Sequence, residues 1–507
     1  MRYGFVIDQN RCIGCHACTV ACKEEHDVPV GVFRTWVKYI EKGEFPNASR
    51  HFGVMRCNHC EAAPCIEICP TRALYKRPDG IVDFDNSRCI GCKSCMQACP
   101  YDALYIDPRS NTAAKCNFCA HRVEQNLEPA CVIVCPTRAI IAGDLDEAAS
   151  SVARIVATQK VSVRKPHKGT HPKLFYVGID GDLIEPGAVS RPESHLWSEK
   201  RAASGPSAPL ATDGGSIAPP RAREVYDVAH PAPWGWKIAA YLWTKSIAAG
   251  VLMVAALLGA LGYGAGQPLF AIASPAVGLA FLGITAFLLV IDLKRPDRFH
   301  YLLLKGNPSS WLVIGGYILT VCGGLGALWL GSGLFLGRPP LALTATAGIV
   351  AIGCACYTAF LFAQARARDL WQSPLFFWHL LVQALAAGAA TIILLGAAFS
   401  AGRKLQLTAG ALLAASLAVG LGMILAEVAL PHVSEDVKRA THMLIRGALW
   451  ARFWLGVIVL GGLAPIVLVL LSAGAVTLNV LAALLALAGL WVFEDLWVKA
   501  GQSVPLS

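Results

Sequence analysis

Two regimes of hydrophobic patterning divide the sequence. From about residue 235 the apolar residues come in eight long runs, near 237–262, 268–293, 309–336, 341–365, 375–399, 405–429, 450–472 and 477–498. Each is long enough for the roughly 20 residues that a helix needs to cross a hydrocarbon core. Lipid offers backbone groups no hydrogen-bonding partner, so these segments are predicted to be helices. Their many Gly and Ala residues suit close helix packing. Before residue 235 the runs are short. Strand-like pieces such as YGFVID and GIVDFD stand ahead of cysteine groups. DEAASSVARIVATQ predicts a helix, followed by a basic stretch and the strand-like LFYVGI. The stretch RAASGPSAPLATDGGSIAPPRAR, rich in Ala, Pro, Ser and Gly, reads as a flexible linker. The predicted organisation is a cysteine-rich head over 1–195, a linker over 196–232 and a membrane domain over 233–507.

The charge pattern refines this division. Charged residues make up 15% of the 507, against about a quarter in a typical soluble protein, as a polytopic membrane protein requires. The net charge of +10 raises nucleic acid as a partner, but no nucleic-acid-binding motif accompanies it, and the bilayer gives the basic residues another use. Loops on the side of the head hold Lys294, Arg295, Arg298, Lys305, Arg366, Arg368, Lys438, Arg439 and Arg446, whereas the opposite loops hold Arg338, Arg403 and Lys404. By the positive-inside rule the head and the C-terminus face the cytoplasm. The sequence opens MRYGFVIDQN and reaches its first cysteine group at Cys12, with neither a signal-peptide pattern nor a twin-arginine pair ahead of it. The expected location is the inner membrane, with the head in a reducing compartment where clustered thiolates bind metal and do not pair.

Nineteen cysteines carry the candidate chemistry. Cys322, Cys354 and Cys356 lie in apolar spans and read as small core residues. The other sixteen form four groups: Cys12, Cys15, Cys18 and Cys22; Cys57, Cys60, Cys65 and Cys69; Cys89, Cys92, Cys95 and Cys99; Cys116, Cys119, Cys131 and Cys135. The first and third groups have the C-x2-C-x2-C-x3-C spacing of bacterial ferredoxins, in which a tight loop offers three sulfurs to one cubane and the fourth ligates its neighbour. Sixteen ligands at four per cubane predict four [4Fe–4S] clusters. CPTRAL at 69–74, CPYDAL at 99–104 and CPTRAI at 135–140 repeat one cluster-closing turn, so the head reads as an α+β, duplicated bacterial-ferredoxin-like module. Zinc is the competing reading of C-x-x-C pairs, opposed by the runs of four with a trailing proline. Cys12-Ile13-Gly14-Cys15-His16 mimics a c-type haem attachment site, but Cys18 and Cys22 already complete the ferredoxin spacing.

With CNFCAHR, EPACVIVCPTRAI and HPKLFYV, the head resembles the four-cluster electron-transfer subunit of complex iron–sulfur molybdoenzymes of the polysulfide reductase or DMSO reductase type. The membrane half, through PWGWKIAAYLW, DLKRPDRFHYLLLKGNPSSW and SPLFFWHLLVQALAAGAA, is similar to NrfD-like anchor subunits, which are usually separate chains. The resemblance implies a ligand exchange. Cys12, Cys15, Cys18 and Cys135 would hold one cluster, and Cys22, Cys116, Cys119 and Cys131 a second. Cys57, Cys60, Cys65 and Cys99 would hold a third, and Cys69, Cys89, Cys92 and Cys95 the fourth. It also implies a molybdopterin catalytic subunit on a separate chain, with electrons passing between it and quinone. Two other readings stay open: a module of a larger quinol-oxidising complex with multihaem cytochromes, and a redox-gated proton translocator.

Ionisable residues inside a bilayer are costly and invite a functional reading. Lys245, Asp292, His379, Glu427, Glu494 and Asp495 lie near or within the spans, towards the head. Lys245 and His379 suit contact with a quinone headgroup; Asp292 and Glu427 suit proton delivery. Asp292 could instead pair with Arg295 or Arg298 at its helix end. His379 is the only histidine well placed within a span, so no b-type haem with two axial histidines is expected.

Overall fold

The computed structural model describes residues 1–191, 222–264, 266–429 and 434–507. In the head, β1 (Tyr3–Asp8) pairs parallel with β10 (Leu174–Val177) and antiparallel with β8 (Ile140–Asp144), and β9 (Val161–Ser162) extends the sheet beyond β10. A second sheet is built on the hairpin of β2 (Thr35–Lys42) and β3 (Ser49–Arg56), joined by β12 (Ala222–Tyr226) and β11 (Val189–Ser190). Two small hairpins, β4 (Leu74–Lys76) with β5 (Val82–Phe84) and β6 (Leu104–Ile106) with β7 (Ala113–Lys115), link successive cysteine groups. The anticipated helix is present over Ser151–Thr158.

The internal repeat is visible in the backbone. The third residue after the last cysteine of each closing turn is left-handed: Arg72, Asp102 and Arg138 have φ of 52°, 56° and 52°. In the first and third groups the loops match again, with positive φ at Gly14 and Gly91 and at His16 and Lys93. At Gly91 no side chain fits, because a Cβ would stand 2.6 Å from Lys294 Cβ of the membrane domain.

Among the described residues eight helices are long and apolar enough to span a membrane: α1 (Trp236–Ala260), α2 (Leu269–Asp292), α3 (Trp311–Leu336), α4 (Leu341–Gln364), α5 (Phe376–Ala398), α6 (Arg403–Ala429), α7 (Arg452–Ser472) and α8 (Val476–Ser503). The last runs several residues past its expected end. Asp495 is paired there with Arg452 at 2.5 Å and Lys499 at 2.8 Å, and the helix continues up to the head, where Gln502 Oε1 accepts from the Gln97 amide at 2.5 Å. An even number of spans returns the C-terminus to the head: Arg164 donates to the Leu506 carbonyl at 3.0 Å and Arg191 to Ser507.

The linker expectation needs a correction at its end. Residues 192–221 lie outside the described residues, but Ala222–Tyr226 is a strand registered against β2. The segment holds there because Lys38, fully buried in β2, meets Glu224 at 2.8 Å and Asp227 at 3.5 Å.

The bundle centres on α1, whose buried face is largely Ala, Val and Leu. Gly250 of α1 and Gly388 of α5 lie back to back, so that a Cβ on either would collide with the other helix's backbone. Gly250→Ala should therefore lower the thermal midpoint of the detergent-solubilised protein by an amount corresponding to about 1–3 kcal/mol. Gly283→Ala in α2, with open space around it, serves as the control and should leave the midpoint unchanged.

Candidate metal centres and membrane site

Cysteine sulfurs converge in four sets that cross the sequence groups. One cavity is lined by Cys12, Cys15, Cys18 and Cys135, and another by Cys69, Cys89, Cys92 and Cys95. Between them, Cys22 is surrounded by Cys116, Cys131 and Cys119, and Cys65 by Cys99, Cys57 and Cys60. The local cause is the closing turn: the helices Ala17–Glu25 and Ser94–Ala98 begin within their cysteine runs and carry the fourth sulfur of each run away from its three partners.

Neighbouring sets are also coupled electrostatically in a fixed order. Cys18 interacts with Cys131, Cys116 with Cys57, and Cys95 with Cys65, so the four sets follow one another in a row. Burial pushes the Cys18 thiol up to about 11 and those of Cys92 and Cys119 up to about 12, so metal binding there must displace protons. At Cys135 burial acts the same way, but backbone N–H groups of Ile140 and Ala139 outweigh it and lower the value.

The donor sets fit a cubane better than a single ion. Tetrahedral zinc, with Zn–S of about 2.3 Å, would draw four sulfurs to about 4 Å of one another. Among the described residues no three Cys, His, Asp or Glu side chains converge in that way. Four sulfurs that line one pocket without closing on a single point instead match a group whose four irons each take one thiolate. These are the same four sets that the resemblance implies.

The last void in the line rests on the membrane domain. Asn307 donates to the carbonyl of Cys69 and, through its backbone, to that of Pro70, at 3.0 and 2.7 Å; Ser310 donates to that of Ile68 at 2.8 Å. Arg298 donates to the Cys89 carbonyl at 3.0 Å, and the backbone N–H groups of Lys294 and Arg295 reach Gly91 and Ile90 at 3.2 Å each. Trp234 donates to the Cys92 carbonyl at 3.4 Å, and Lys93 pairs with Asp292 at 2.8 Å. Sequence reading missed this clasp, although Asn307 and Ser310 belong to the GNPSSW segment that carried part of the resemblance.

Residues 224–505 match the family described as polysulphide reductase, NrfD, and 49–145 and 11–74 match two 4Fe-4S dicluster domains. The chain belongs to the NrfD polysulphide reductase family. Its head is 44% identical to the B subunit of tetrathionate reductase from Salmonella typhimurium, over 39% of this chain and 80% of the relative. It is 42% identical to the B component of polysulfide reductase from Wolinella succinogenes, over 35% of this chain and 94% of the relative. Thiosulfate reductase electron transfer subunit PhsB of Salmonella typhi is 48% identical, over 32% and 84%. The NrfD-family chain thus unites an iron–sulfur electron-transfer head and a multi-pass membrane anchor in one polypeptide.

The four membrane candidates do not form one site. Lys245, fully buried in α1, donates to the Ala355 carbonyl at 2.6 Å and the Thr358 hydroxyl at 2.7 Å, and sits 5.2 Å from the Tyr357 ring; these contacts offset its desolvation without a cavity. Asp292 meets Lys93 of the head, and neither Arg295 nor Arg298. His379 and Glu427 do come together, Nε2 to Oε2 at 3.2 Å. Glu427 lines a cavity with Ile424, Thr441, Phe453, Phe493 and Trp497, and the His379 ring stacks on Phe493 and lies tilted to Trp497.

The crossed sets make a direct prediction. In protein prepared without oxygen, Cys135→Ser should alter the EPR signal that Cys12→Ser alters and leave untouched the signal altered by Cys119→Ser. A Cys135→Ser effect confined to the Cys119 signal would contradict the crossing.

Proposed function

We propose that the chain is the electron-transfer and membrane-anchor subunit of a respiratory oxidoreductase complex, linking a molybdopterin-containing catalytic subunit to the membrane quinone pool through four [4Fe–4S] clusters. The observation that carries the reading is the line of four sulfur sets, open at one end and seated on the anchor at the other. Each cluster, when bound, accepts and passes on single electrons. The chain's own side chains fix the order and the two ends.

At the open end Cys15 is exposed, and Ile13, Val20 and Ile133 beside it present large apolar surface. Such a patch on a soluble head suits a protein partner. The relatives named above as parts of tetrathionate, polysulfide and thiosulfate reductases support a catalytic partner there. At the anchored end a continuous packing of rings begins at Trp234, bonded to the Cys92 carbonyl. It runs through Trp371, Phe362 and Phe376 to Trp497, with centroid spacings of 4.6–5.4 Å. Trp497 forms a wall of the cavity that Glu427 lines.

That cavity is lined mostly by apolar side chains, as small-molecule sites are, and lies at the head-facing ends of α6 and α8. A quinone carbonyl there would take its hydrogen bond from His379, with Glu427 holding or releasing the accompanying proton. Lys245 and Asp292, engaged elsewhere, stand outside it. The bias of basic loops towards the head supports a cytoplasmic head.

Native complex purified without oxygen should contain a larger molybdenum-bearing subunit, and a short-chain quinol should reduce its clusters. His379→Gln and Glu427→Gln should each slow quinol-driven reduction by about tenfold or more while dithionite reduces the same clusters fully. Lys245→Met should affect the quinol rate less than either. Quinol-driven rates unchanged in both the His379 and Glu427 variants would remove the pocket from the proposal, and a complex without molybdenum would remove the partner.

A further inference from the structure

Four buried cubanes in a line place several negative charges close together in a low-dielectric core, and the structure contains a buried cation where the first two sets meet. Arg56, the last residue of β3, is fully buried immediately before Cys57. Its Nη1 donates to Cys131 Sγ at 3.1 Å, and its guanidinium lies 4.5 Å from the centroid of the Phe5 ring. Cys131, Cys116 and Cys18 are, in that order, its strongest electrostatic partners, two from the second set and one from the first. No carboxylate pairs with it among the described residues, and its Nε and Nη2 have no hydrogen-bond partner there.

A buried guanidinium with orphaned donors is expensive unless something accepts from it. The neighbouring thiolates and the sulfur-rich group they would hold are acceptors of that kind. Two other buried basic groups beside the sulfur sets are satisfied within the protein: Lys115 donates to the carbonyls of Val82 and Cys116, and Lys93 is neutralised by Asp292. On the second set His26 adds a hydrogen bond, its Nε2 lying 3.1 Å from Cys119 Sγ, while burial keeps the ring uncharged.

Resting on the four-cluster reading, we infer that Arg56 is a positioning residue that sets the potential of the second cluster, held by Cys22, Cys116, Cys119 and Cys131, above the value it would have without that cation. Reduction adds an electron, and a fixed positive charge with hydrogen bonds to ligand sulfur stabilises the reduced form. Removing the charge therefore moves the midpoint to more negative values. The lysine variant keeps the charge but loses the planar fork of donors.

The test is an EPR-monitored redox titration of the anaerobically purified full-length protein, with the second cluster identified as the signal altered by Cys119→Ser. Arg56→Gln should shift that midpoint negatively by about tenfold or more in the reduction equilibrium, about 59 mV for a one-electron couple. The other three signals should move less, and Arg56→Lys should move the second one by a smaller amount in the same direction. An unmoved second midpoint in Arg56→Gln, or equal shifts in all four signals, would overturn the inference. If Arg56→Gln loads less iron, Arg56→Lys decides, and no negative shift in it overturns the inference. Fewer than four cluster signals in the unaltered protein would instead refute the four-cluster reading on which the inference rests.

Discussion

Everything in this molecule depends on where the fourth sulfur of each cysteine run can go. A short helix that begins within each cysteine run carries the fourth sulfur away from the other three. Each run must therefore complete its set with a cysteine from another run. That constraint ties residue 12 to residue 135 and residue 57 to residue 99, across most of the head, and it explains why β1 and β8 lie side by side. The sulfur sets are part of the head's hydrophobic core: Cys18, Cys65 and Cys95 are buried among its leucines and isoleucines. Such a head gains much of its folding free energy from the groups its thiolates bind.

The second constraint is the seat of the head on the bundle. The main chain around the fourth sulfur set ends in carbonyls that the head does not use internally, and side chains and loop amides of the membrane domain take them up. Fusion of head and anchor into one polypeptide makes this contact intramolecular. It also gives the basic loops a second task. Arg295, Arg298, Arg366 and Arg368 all bond to the head, so their presence on that face serves docking as well as orientation in the bilayer.

Much of this was legible in the sequence because two signals are nearly independent of context. An apolar run of some 20 residues has one way to satisfy its backbone in lipid, and all eight spans were found within a few residues of their ends. Cysteine spacing has a similarly narrow meaning. The pairing of β12 with β2 was not anticipated, because it rests on a buried Lys38–Glu224–Asp227 cluster whose members are far apart in sequence. The membrane candidates were read as one site because charge in lipid is rare. The structure separates them because a long lysine side chain can find its own acceptors, and a helix-end aspartate can reach a partner in another domain. Arg56 was passed over since an arginine next to a cysteine carries no signal until both are seen buried.

The most direct test counts metal. Iron and acid-labile sulfide, measured on full-length protein purified without oxygen, should each come to sixteen per polypeptide, one iron for every cysteine of the four groups. Zinc in their place, or about half that iron in a fully folded protein, would contradict the line of four clusters.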